Sequence, residues 1–196
     1  GVTPTSLVHY EQFEEGAQLT ALEDLADEML AGRAARVGHA MLRRDLPAFQ
    51  AGRGPDGRVF SDEVPAICGW VTGLDRSYVP IQGPPGTGKT YTGAHMIRTL
   101  VNAGLRVGVT AMSHAAIDNL MQAVVDRFRE EGDRDTLRAV RKAKEGSVRG
   151  IRYVDDNASV ARGDFNVVAG TTWLFASKPM RENPVAIEKN AVERAR

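Results

Sequence analysis

The stretch "YVPIQGPPGTGKTYTGAHMIRTLVNAGLRVGVTAMSHAAIDNL", Tyr78 to Leu120, decides the fold, because its apolar pattern changes from strand-like to helical and back within a few residues. "YVPIQ" (Tyr78 to Gln82) is short and apolar, as a buried parallel strand is, and it runs directly into a Gly-Pro turn. "TYTGAHMIRTLVNAG" then reads as helix: Ala94, Ile97 and Val101 share one face, and Gly104 sits where a helix commonly ends. "LRVGVTA" (Leu105 to Ala111) predicts the next strand. Ser113 is placed to cap a helix whose apolar stripe is Ile117, Leu120, Val124 and Phe128. Farther along, "FNVVAGTT" (Phe165 to Thr172) predicts a further strand ending in small and hydroxyl residues. Strands and helices in this alternation predict an α/β fold, a parallel sheet with helices on both faces.

The turn between the first strand and helix carries chemistry. Gly83, Gly88, Lys89 and Thr90 satisfy G-x-x-x-x-G-K-[ST], and the complete "GPPGTGKT" spans Gly83, Pro84, Pro85, Gly86, Thr87, Gly88, Lys89 and Thr90, with Tyr91 following. Glycines let the backbone turn tightly and bring N–H groups onto phosphate oxygens, while the next helix turns its positive end to the same anion. Lys89 is long enough to reach β and γ phosphates, and the Thr90 hydroxyl is a magnesium ligand once a nucleotide is bound. The cofactors expected are a nucleoside triphosphate and Mg2+, with Lys89 and Thr90 as the candidate catalytic residues. A phosphate loop alone leaves kinases, GTPases, transporters and motors open.

Upstream the grammar is different. Leu19, Leu22, Leu25 and Met29 stand at helical spacing, and Gly32 predicts a break between two helices ending near Arg44. A loop rich in Gly, Pro and Asp follows, then the short segment "AICGWVTGLDRS". Residues 1–75 are therefore expected to form a helical N-terminal region and linker, and residues 76–196 the first part of the α/β domain. The 196 residues, 42% hydrophobic and 26% charged with a formal net charge of zero, are ordinary for a globular chain, so global charge points to no partner class. One cysteine, Cys68, excludes an internal disulfide. With no long apolar run and no signal-peptide pattern, the expectation is a cytoplasmic protein without a membrane partner. His9, His39 and His95 lack partners at ligand spacing, so no metal site built from side chains alone is expected.

Two further segments narrow the choice. "VTAMSHAAIDNL" (Val109 to Leu120) resembles motif Ia of superfamily 1 helicases of the RNA-surveillance and replication nuclease-helicase type, and "VVAGTTWLFA" (Val167 to Ala176) resembles their motif Ic. With "IQGPPGTGKT" they occur in the family's order, and the nearest likeness is to bacterial helicases of this type fused to a RecB-like nuclease module. The resemblance implies an incomplete RecA-like P-loop NTPase fold, the N-terminal part of a first motor domain, whose strand-end turns hold single-stranded DNA or RNA. That carries over to Thr110, Ser113 and His114 in one turn and Thr171 and Thr172 in the other; His114 stands where asparagine is common. The second motor domain is expected to be missing from this chain, and a fused nuclease is a possible part of the parent protein.

Other readings of these residues stand beside the functional ones. Ser113 also reads as a plain helix cap, Asp118 and Asn119 as solvent-facing helix residues, and Trp173 and Phe175 as core rather than stacking platforms. "LRAVRKAKEGSVRGIR" (Leu137 to Arg152) is strongly basic, and reads either as a nucleic-acid contact or as a solvated helix face and loop. A hydrolytic motor needs an acid to hold magnesium, usually at the end of a later apolar strand. "RYVDD" (Arg152 to Asp156) is the one superficial candidate, and "SKPMRENPVAIEKNAVERAR" reads as a turn at Pro184 and a charged helix. The expectation is an ATP-binding part of an ATP-dependent helicase that is inactive on its own. A nucleotide kinase or GTPase, or a non-catalytic nucleotide-binding module, are the alternatives.

Overall fold

The computed structural model describes residues 16–33, 36–55, 57 and 59–182. The charged helix expected after Pro184 lies outside them, as does the segment before residue 16. In chain order the elements are α1 (Gly16–Leu30), α2 (Arg36–Arg43), α3 (Val64–Val71), α4 (Lys89–Asn102), β1 (Val107–Val109), α5 (His114–Glu130), β2 (Ala139–Lys142), β3 (Arg152–Val154), α6 (Asn157–Arg162), β4 (Val167–Ala169), α7 (Thr172–Ala176) and α8 (Lys178–Glu182). The four strands form one sheet in the order β1-β4-β2-β3, and every pairing is parallel. This is the α/β architecture of a P-loop NTPase-like fold.

Alternation along the central strands sets the two layers. Val167 and Ala169 of β4 and Ala139 of β2 join the core formed with α4 and α5, whereas Val168 and Val140 point into the second core under α6, α7 and α8. With both faces covered, β4 is fully buried and reads as an unbroken apolar run, as a central parallel strand should. Helix α5 contributes Ile117, Met121, Val124, Val125 and Phe128, all fully buried. Each such side chain removed from water is worth about 1.5–3 kcal/mol, so this stripe anchors the layer. The expected face of α4, Ala94, Ile97 and Val101, is the buried one, and Gly104 has φ +80° just past its end.

Two sequence expectations meet a different structure. Tyr78–Gln82 is not a strand: the segment is irregular and Ile81 is 44% exposed. Pro80 lacks the amide donor that a central ladder needs, and among the described residues β1 pairs only with β4, so the segment has no partner strand. The basic run is not a solvated helix face either; it contains β2 and the start of β3. Helices α1 and α2 form where expected, with Gly32 at φ +68° near the break, but α1 has no buried residue and Leu19 and Leu22 stay exposed. Residues upstream of the phosphate loop instead build their own small core, in which Ile67, Trp70 and Val71 of α3 meet Phe49, Leu74 and Val79 and reach Met96 and Leu100 on α4. That contact sets α3 beside the loop.

Candidate functional site

The loop before α4 has the conformation its glycines predict. Gly86 and Gly88 sit at φ +85° and +78°, and Gly88 is the residue from which α4 starts. A Cβ on Gly83 would collide with Thr87 Oγ1, so a side chain there would displace the Thr87 hydroxyl. Thr87 in turn donates its hydroxyl to the Pro84 carbonyl at 2.9 Å, closing the turn on itself. Lys89 folds back over the same loop, donating Nζ to Gly83 O at 2.5 Å and to Pro84 O at 2.7 Å. An ammonium held by backbone carbonyls at the mouth of a glycine turn, with the first turn of a 14-residue helix behind it, fits a polyphosphate. Thr90 and Tyr91 are exposed on that first turn.

A cavity of about 630 Å³ extends from this loop, lined by Gly83, Pro84, Thr87 and Lys89 on one side and by Phe60, Trp70, Val79 and Ile81 on the other. Phe60 and Trp70 stand edge-to-face with centroids 5.4 Å apart. Ser61, Asp62 and Gln82 supply polar atoms to the same space. Sequence reading missed these residues because nothing in the loop before α3 signals that it folds back against the phosphate loop. The "RYVDD" acids belong elsewhere. Asp155 and Asp156 line a different cavity; Asp155 accepts from Lys142 Nζ at 2.7 Å, which holds its carboxyl below the usual range, and Asp156 caps α6 by accepting from the Ser159 amide at 2.6 Å. Among the described residues no group of three His, Cys, Asp or Glu side chains is arranged to hold a metal.

The strand-end turns carry the other expected residues. Thr110 follows β1 and is exposed. Ser113 caps α5, accepting from the Ala116 amide at 3.1 Å. His114 opens α5, and its Nδ1 lies 3.1 Å from Nη2 of Arg141, a guanidinium only 1% exposed that also donates to Asp118 Oδ1 at 2.8 Å. Asp118 is thus an ion-pair partner that keeps 30% of its side chain exposed to solvent. Thr171 follows β4, while the Thr172 hydroxyl accepts from Gln18 Nε2 at 2.6 Å, tying α1 to α7. The structure brings His114 and Thr171 into one cavity and leaves Thr110, Ser113 and Thr172 outside its lining. Phe175 packs partly into the second core, and Trp173 is 37% exposed. Much of the basic run is engaged internally: Arg138 with Asp164, Arg141 with Asp118, Lys142 with Asp155, and Arg152 over the Phe165 ring at 5.5 Å.

Residues 71–161 match the family model described as "AAA domain". Among curated proteins, the chain is 44% identical over 48 residues to the DNA replication ATP-dependent helicase/nuclease DNA2 of Gallus gallus, and 48% identical over 44 residues to the protein of the same name in Saccharomyces cerevisiae. These alignments cover 24% and 22% of this chain and only 5% and 3% of those relatives. No solved structure matches. No helix among the described residues is long and apolar enough to cross a membrane. With the parallel sheet and the glycine loop at the head of α4, the matches support a helicase-type P-loop module for binding ATP.

Proposed function

We propose that this chain is the ATP-binding part of a superfamily 1 helicase or translocase motor, the parent using ATP to move along single-stranded DNA or RNA. The observation that carries the reading is the loop itself: two left-handed glycines, a third whose Cβ would collide with Thr87, and Lys89 poised over them at the head of α4. With ATP bound, Lys89 would exchange its carbonyl partners for phosphate oxygens, the loop amides and the α4 terminus would hold the remaining charge, and Thr90 is the residue whose hydroxyl would hold magnesium. The nucleotide supplies the phosphoanhydride whose cleavage drives such motors. The adjoining cavity takes the base, with Phe60 and Trp70 as its apolar wall and Gln82, Ser61 and Asp62 as partners for its polar edge.

Thr110, Ser113, His114, Thr171 and Thr172 form the single-strand side of the proposal, supported by their place at the ends of adjacent parallel strands, where ligands of open α/β sheets bind. A nucleotide kinase or GTPase reading gains no support from the matches to helicases. The test is ligand-linked stability: Mg·ATP raises the unfolding midpoint of the chain, by the amount its affinity and concentration set, and Thr90→Ala responds less. A midpoint indifferent to ATP, ADP and magnesium would overturn the assignment.

A further inference from the structure

A cavity of about 410 Å³ lies where all four strands end, and its walls have the composition of a base pocket rather than a phosphate cradle. His114 follows β1, Lys142 ends β2, Asp155 follows β3 and Thr171 follows β4; Trp173, Asn157, Leu174 and the α6-capping Asp156 complete the wall. The arrangement is held from beneath by Arg141, which is 1% exposed and donates to Asp118 Oδ1, to the Lys142 carbonyl at 2.8 Å and toward His114 Nδ1 at 3.1 Å. A guanidinium has no acceptor, so Nδ1 of His114 must accept and the hydrogen of the neutral ring is on Nε2. The buried clamp therefore fixes both the orientation and the tautomer of the imidazole, and leaves its N–H for a ligand.

The cation of this cavity is already satisfied. Lys142 Nζ donates to Asp155 Oδ1 at 2.7 Å, which leaves the second carboxylate oxygen as an acceptor and makes the wall unfavourable for a phosphodiester. Trp173 keeps 37% of its surface exposed and lines the same cavity. We propose that this cavity receives one unstacked nucleobase bearing an exocyclic amine next to a ring acceptor, cytosine or adenine, drawn from the single strand. Trp173 lies against its face, Asp155 accepts from the amine, and His114 Nε2–H donates to the ring nitrogen. In the same seating uracil and thymine present a carbonyl toward the carboxylate and an N–H toward the imidazole; they satisfy both groups only after shifting to place N3–H on Asp155, and are disfavoured in that seating. The inference rests on the single-strand reading above and gives it a base preference.

The experiment measures fluorescence anisotropy of end-labelled oligo(dC), oligo(dU), oligo(rC) and oligo(rU) of equal length, at fixed salt, with the full chain. The expected result is tighter binding of C than U by about tenfold, with quenching of tryptophan fluorescence that Trp173→Leu abolishes. Asp155→Asn, at an exposed position, should bring the C-to-U ratio close to one without loss of fold. A preference found in only one sugar series supports the pocket and identifies its source. Equal binding of C and U by the wild type overturns the pocket and leaves single-strand binding standing. An equal gain for every strand on Asp155→Asn also overturns it, since the cavity would then hold phosphate. Failure of all four strands to bind, with ATP still bound, removes the single-strand reading and the pocket together.

Discussion

Arg141 shows how far a residue's role depends on partners distant in sequence. In the chain it is one cation among several between Leu137 and Arg152, and nothing local marks it as buried; the structure places it on β2, 1% exposed, facing Asp118 from α5. The two partners are unequal, because Asp118 keeps 30% of its side chain exposed. Asp118→Ala strands a desolvated guanidinium and should cost about 3–5 kcal/mol, whereas Arg141→Met leaves a half-solvated carboxylate and should cost about 1–3 kcal/mol. Urea unfolding of both variants checks the order, and an Arg141→Met cost equal to or above that of Asp118→Ala would contradict it. Gly83 gives the opposite case, a position where the motif marks glycine and the structure leaves little room for a side chain. Gly83→Ala forces its Cβ against Thr87 Oγ1 and should weaken ATP binding about tenfold or more while circular dichroism stays unchanged, because the loop lies outside every core.

Helices α4 and α5 were readable because each repeats apolar residues over several turns, and their buried faces are almost those the periodicity picks out. The segment before the phosphate loop was not: five apolar-rich residues suit a strand, but a ladder needs a neighbour and an amide at every position, and periodicity reports neither. The α4–α5 pair also carries a pH response. His95 on α4 is pushed below the ordinary histidine range, first by burial and then by the charges of Arg127 and Arg98, and its buried Nε2 has no partner among the described residues. A base whose folded pKa is lowered binds fewer protons folded than unfolded near pH 6, so its stabilisation is present above the ordinary value of 6.5 and is lost as pH falls through the folded value. The urea midpoint should therefore drop between about pH 7.5 and about pH 5.5, and His95→Gln should reduce that drop. A drop of the same size in the variant would assign it to other groups.

Across the whole molecule, the glycine loop at the head of α4 was legible as a motif, while the α3 wall of the cavity beside it and the Arg141 clamp were not, since both arise from tertiary contacts between segments without a shared pattern. Asp62 is the single carboxylate lining the cavity of the phosphate loop among the described residues, and the acids of "RYVDD" are engaged at the other cavity. Phosphoryl transfer to water needs magnesium held from the protein side and the attacking water oriented, and an arginine from a second domain adds about three to five decades. The 196-residue chain should thus show negligible ATPase activity with or without single strands. Turnover near that of complete helicases would contradict this, and Asp62→Asn would then be the first variant to test. The central claim, that Lys89 and its loop bind the triphosphate, is tested most directly by calorimetric titration of Mg·ATP into the wild type and Lys89→Ala. Lys89 leaves two carbonyl partners when it takes phosphate, so the net loss predicted is moderate, about tenfold to a hundredfold in affinity with the fold intact. Equal affinities for two folded proteins would contradict the account.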